Sequence, residues 1–73
     1  MAEHARVPGP WVNLGVLYSR AGDYRGAESA YRVALRIDRL NRSARSNLAG
    51  LYRHLGADAA LENLRRGEGR NAG

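Results

Sequence analysis

The chain has 73 residues, no cysteine, and twelve basic residues against seven acidic ones, for a net charge of +5; every basic residue is arginine. A chain this short forms one small domain that buries only about 60% of the surface it exposes when unfolded. The lack of cysteine excludes disulfides and thiolate metal sites, and His4 and His54 stand in unrelated contexts, so no zinc ligand set is expected. No apolar run approaches the roughly 18 residues that span a bilayer, and residues 1–10 lack the hydrophobic stretch of a secretion signal. The expectation is a soluble, cytoplasmic protein or a piece of a longer one.

Residues 1–9 are polar and run into Pro8-Gly9-Pro10, which suits a disordered lead before a helix whose first turn tolerates proline. The first helix is expected from about Pro10. Trp11, Leu14, Gly15 and Tyr18 fall at i, i+3, i+4 and i+7, with Leu17 adjoining, so one stripe is marked for burial while Asn13, Ser19 and Arg20 stay outside it. Gly22 suits the left-handed position just past a helix end.

Asp23 offers a carboxylate to the free amides of a second helix. Its buried stripe is Tyr24, Ala27, Tyr31, Ala34 and Leu35, widened by Ala30 and Ile37. The small alanines let two helix axes approach closely. Gly26 sits inside this helix at a cost of about 0.5–1 kcal/mol relative to alanine, so it either permits close packing or is a tolerated blemish.

Residues 38–41 form the next turn, and Ser43 is the expected cap of a third helix that runs to about Leu55, with Leu48, Leu51, Tyr52 and Leu55 as its stripe and Gly56 as its stop. A weaker fourth helix from Asp58 to Arg66 carries Leu61 and Leu64. Residues 67–73 hold no apolar side chain larger than alanine and three glycines, and are expected to be a flexible tail.

Laying the chain over itself decides the architecture. Asn13, Leu14, Leu17, Tyr18 and Gly22 recur as Asn47, Leu48, Leu51, Tyr52 and Gly56, each displaced by 34 residues. With Trp11, Leu14-Gly15, Tyr18, Ala27, Tyr31 and Ala34 at their spacings, the chain resembles the tetratricopeptide repeat family. The likeness covers residues 8–66, as a full repeat over 8–41 and a degenerate or capping repeat over 42–66. It departs from the family where Arg39 replaces the closing proline, Arg45 replaces tryptophan, Ala49 replaces glycine, and Leu61 stands where a small alanine is expected. The fold implied is all-α: antiparallel helix-turn-helix repeats, a fragment of an α-solenoid with three to four helices.

The resemblance also implies a role as scaffold or adaptor, binding a peptide or partner helix in a concave groove lined by the first helix of each repeat. Carried over, the groove positions are Gly9, Val12, Val16, Ser19 and Arg20, then Ser46, Gly50, Arg53 and His54, with Asn13 and Asn47 at the family's common asparagine. Valines at positions where chaperone-binding members grip a terminal carboxylate argue against that ligand. Arg20, Arg53 and His54 favour an acidic protein or peptide. Two repeats seldom bury enough to stand alone, so a homo-oligomer, a dimer in the simplest case, is expected through Leu51, Leu55, Leu61 and Leu64.

No nucleophile elbow, carboxylate pair or phosphate-cradling loop is present, so no catalysis and no cofactor are expected. His54 near a helix end is accounted for by the helix dipole. The alternative from another class is a basic nucleic-acid-binding module, which is disfavoured because Trp11, Tyr18, Tyr24, Tyr31 and Tyr52 all fall on expected core stripes.

Overall fold

A computed structural model describes residues 7–72, with side chains described for 7–67. Four helices follow one another: α1 (Pro8–Arg20), α2 (Tyr24–Ile37), α3 (Arg42–Leu55) and α4 (Asp58–Ala72). The α1–α2 and α3–α4 pairs are hairpins, and α3 also packs against both α2 and α1. The thin dimension of the molecule is 14 Å, which fits two helix layers with axes roughly 8–10 Å apart and Cα atoms about 2.3 Å outside each axis.

Glycine sets both hairpin turns. Gly22 has φ +83° and Gly56 φ +69°, conformations that L side chains rarely adopt. In the first turn the Gly22 N–H donates to the Ser19 carbonyl (3.0 Å) and the Asp23 N–H to that of Tyr18 (2.8 Å). In the second the Gly56 N–H donates to Arg53 (3.1 Å) and the Ala57 N–H to Tyr52 (2.8 Å). The pair of bonds satisfies carbonyls that the helix end leaves open, and the four partners obey the same 34-residue offset.

The helix starts differ from one another. Both prolines lie in the first turn of α1, where their missing amides cost nothing, and the helix begins at Pro8 rather than Pro10. Asp23 caps α2 as expected, accepting from the Gly26 N–H at 2.9 Å. The cap of α3 is Asn41 and not Ser43: its Oδ1 accepts from the Ala44 N–H at 2.8 Å, and Ser43 already lies inside the helix. Helix α4 continues through Ala72, beyond the expected stop at Arg66. Once nucleated, a helix gains one hydrogen bond per added residue, and no proline interrupts residues 67–72. The expected flexible tail therefore gives way to helix up to Ala72; of the expected lead over 1–9, Pro8 and Gly9 are helical and residues 1–6 lie outside the described residues.

The core sits where α1, α2 and α3 meet. Val12, Ala27, Tyr31, Ala34, Ala44, Leu48, Leu51 and Tyr52 form one buried cluster. Several positions of the expected stripes behave differently: Leu17 is 60% exposed, Leu55 49% and Tyr18 37%, while Trp11, Leu14, Tyr24, Leu35 and Ile37 are half-buried. Repeat two shows why. Leu48, Leu51 and Tyr52 are buried because α2 and α1 cover them, whereas of the matching residues Leu14 is half-buried, Tyr18 meets α2 near Gly26 and Leu17 stays exposed. Helix α4 contributes only partly buried Ala60, Leu61 and Leu64.

The 34-residue period also extends into the second helices in a way the sequence reading missed. Glu28 and Arg32 recur as Glu62 and Arg66, and each pair forms an i,i+4 ion pair at 3.7 Å. Such exposed pairs contribute only about 0.3–0.5 kcal/mol each.

Candidate functional site

Where α1 and α3 lie side by side, they and the start of α2 enclose an open groove of about 480 Å³. Its lining is Val16, Ser19 and Arg20 from α1, Tyr24 and Tyr31 from α2, and Ser46, Asn47, Gly50, Leu51 and His54 from α3. Seven of the residues carried over from the repeat pattern thus converge: Val16, Ser19, Arg20, Ser46, Asn47, Gly50 and His54.

The others do not. Val12 is 7% exposed and belongs to the core; it lies one helical turn before Val16, on the flank of α1 that faces the packed helices. Gly9, Asn13 and Arg53 are exposed but do not line the groove. Three lining residues are not among the expected groove positions: Tyr24, Tyr31 and Leu51. Tyr31 and Leu51 are 3% and 6% exposed and form the floor, so they serve core and groove together, and no spacing could have separated those roles.

The groove has a polar and an apolar end. Val16, Tyr31 and Leu51 supply apolar surface, and Gly50 keeps the middle open, since a Cβ added there would meet nothing within 4 Å. Arg20, Tyr24 and His54 mark the other end, where the Tyr24 and His54 rings stand 5.3 Å apart at 53°. That contact joins the first hairpin turn to the last turn of α3. Among the described residues no Asp or Glu lines the groove.

A second, wider cleft of about 880 Å³ opens between α2 and α4, with α3 beneath it. At one end the Tyr52 hydroxyl donates to Glu28 Oε2 at 2.7 Å. Burial, followed by that bond to the carboxylate, pushes the Tyr52 phenol up to about 12; burial alone moves Tyr31 in the same direction. The surface proposed for self-association is corrected here. Leu51 is buried, and Leu61 and Leu64 pack against the core, so of the four only Leu55 is exposed. The other exposed large apolar residues are Val7 before α1, Leu17 and Tyr18 on α1, and Leu40 in the turn before α3.

Among the described residues no three His, Asp or Glu side chains are grouped so as to hold a metal ion, and no helix is long and apolar enough to cross a membrane.

Two helical hairpins related by a 34-residue offset, stacked so that α3 nests against the first pair, define a helical-repeat protein. The family model for the tetratricopeptide repeat matches residues 11–43, which supports a tetratricopeptide-family segment of about two repeats. A protein O-mannosyl-transferase of Caenorhabditis elegans is 45% identical over 43 residues, a match that covers 59% of this chain and 6% of that protein. The chain therefore spans a small fraction of that relative's length. No solved structure gives a significant match. The repeat makes the chain a protein-interaction module in general terms.

Proposed function

We propose that the chain acts by binding and not by catalysis, and that it holds a protein segment in the groove between α1 and α3. The observation that carries this is the convergence of Val16, Asn47, Gly50 and His54, residues from two repeats, on one open surface. An apolar floor, hydrogen-bonding walls and an end bearing Arg20 and His54 suit a peptide or helix with an apolar anchor and a carboxylate. The absence of any lining carboxylate supports the acidic character of the partner. Transfer of mannose belongs, by its name, to the relative; the matching segment is a small part of it, and a binding role for that segment is consistent with both proteins.

The test is a phage-displayed peptide library selected against the whole chain. Selected peptides should lose at least tenfold in affinity on Gly50→Trp, which fills the groove at a position with open space, while the thermal midpoint stays within a few degrees. A selection that yields no peptide, or peptides indifferent to Gly50→Trp, overturns the reading.

Self-association is a second proposal, favoured by α1. It carries no charged side chain before Arg20 and leaves Leu17 60% exposed. In a chain of net charge +5, α1 is the one helix along which two copies can meet without bringing arginines together. The alternative of nucleic-acid binding has less support: Tyr31 and Tyr52 are buried, which leaves Tyr18 and the half-buried Trp11 and Tyr24 as the rings that could stack on a base.

A further inference from the structure

The cleft between α2 and α4 lies on the side of the molecule away from the groove, and its three surfaces differ in chemistry. The α2 wall presents Glu28, Arg32 and Arg36, and Arg39 in the turn that follows and Arg45 in the first turn of α3 line the same end, each with contacts of its own. The floor is apolar, formed by Leu35, Leu48 and Leu64. Among the described residues the α4 wall is small and uncharged: Ala60, Asn63 and Gly67. From these we infer that the cleft is a second docking site, whose occupant is an acidic amphipathic helix of a partner protein.

Each surface specifies one side of that occupant. Glu28 to Arg36 spans eight residue steps of α2, roughly 12 Å at 1.5 Å per residue, so the cleft accommodates about two turns of helix. Leucine-rich burial on the floor calls for an apolar stripe. Small side chains at Ala60 and Gly67 let a helix axis come close, and a Cβ added at Gly67 would meet nothing within 4 Å. The basic wall calls for carboxylates on the flank facing α2. Glu28 is engaged by the Tyr52 hydroxyl and by Arg32, which confines the acidic influence to one end and leaves the Arg36 end basic. A polyphosphate backbone fits less well, because the cleft exposes no aromatic face and its floor is aliphatic.

The experiment is an NMR titration of the whole isotope-labelled chain with a synthetic 18-residue peptide, leucine and alanine on one helical face and glutamate on the other. Amide shifts should concentrate at Arg36, Ala60, Asn63 and Gly67. Arg36→Glu on the basic wall and Gly67→Leu on the small wall should each weaken the complex at least tenfold, with helical circular dichroism unchanged. Arg20→Glu in the α1–α3 groove should leave it unaltered, which separates this site from the one proposed above. Absence of binding, shifts confined to Arg20, Asn47 and His54, equal binding of the same peptide with lysine for glutamate, or displacement of the peptide from these amides by a single-stranded RNA 12-mer would each overturn the proposal.

Discussion

Glycine shows how one residue type carries opposite meanings at three places. At Gly15 a Cβ would come within 2.7 Å of Tyr31 Cδ1, and that ring is 3% exposed and cannot retreat. Gly15→Ala should cost about 1–3 kcal/mol, the usual penalty of overpacking. Gly26 is no blemish: its Cβ would meet Tyr18 Cγ at 2.9 Å and the capping carboxylate of Asp23 at 2.7 Å. Gly26→Ala should therefore destabilise, against the ordinary helix preference, whereas Gly50→Ala, with open space around it, should stabilise by about 0.5–1 kcal/mol. Thermal midpoints of the three variants check the ordering Gly50→Ala above wild type above the other two. A helical wheel marks all three positions as helical and cannot see which ring lies over them.

Tyr52 supplies a pH prediction at the same scale. Its phenol titrates near 10 in the unfolded chain and at about 12 when folded. Between those values the unfolded state has lost a proton that the folded state keeps, so stability is complete below pH 10 and falls as pH rises toward 12, by on the order of 2 kcal/mol. Urea midpoints measured from pH 9 to pH 12 should decline for the wild type. Tyr52→Phe should lose about 1 kcal/mol at pH 7 with the hydrogen bond to Glu28 and then decline less steeply. An unchanged slope in that variant would contradict the assignment.

At the scale of the element, the ends decide how well each hairpin holds. The positive-φ glycines after α1 and α3 were legible, because few residues other than glycine fit there. The start of α3 was not, since Asn41 and Ser43 are both competent caps and only the backbone settles which one precedes the first turn. The extent of α4 was also hidden: its last residues carry no apolar side chain larger than alanine to mark a face. Repeat two places Ala57 where repeat one has the Asp23 cap. Asp23→Ala should cost about 1 kcal/mol, and Ala57→Asp should return a comparable amount to α4. Amide hydrogen exchange in α4 reads the second change directly, with slower exchange over its first turns as the expected result.

For the whole molecule, the repeat offset explains both the parts that were readable and those that were not. Fold class and helix order follow from periodic side chains and glycine stops, which are local. Of the positions expected in a groove, seven converge on one open surface. Val12 was misplaced because an apolar residue beside a buried stripe belongs to either surface until the crossing of α1 with its neighbours is fixed. The exposed face of α1 was missed for a related reason, since Leu14, Leu17 and Tyr18 match Leu48, Leu51 and Tyr52 in sequence but not in what covers them. Sedimentation velocity should show association that Leu17→Glu abolishes without unfolding the chain. A monomer at every concentration would remove self-association while leaving the groove intact.

The central claim is that residues from two repeats build one binding surface between α1 and α3. The most direct measurement is amide chemical-shift mapping of the whole chain with a peptide selected against it. Shifts centred on Val16, Asn47, Gly50 and His54 at once, with little change at Asn13 and Gly9, are the predicted result. Shifts restricted to a single helix, or lying wholly outside these four residues, would contradict the claim.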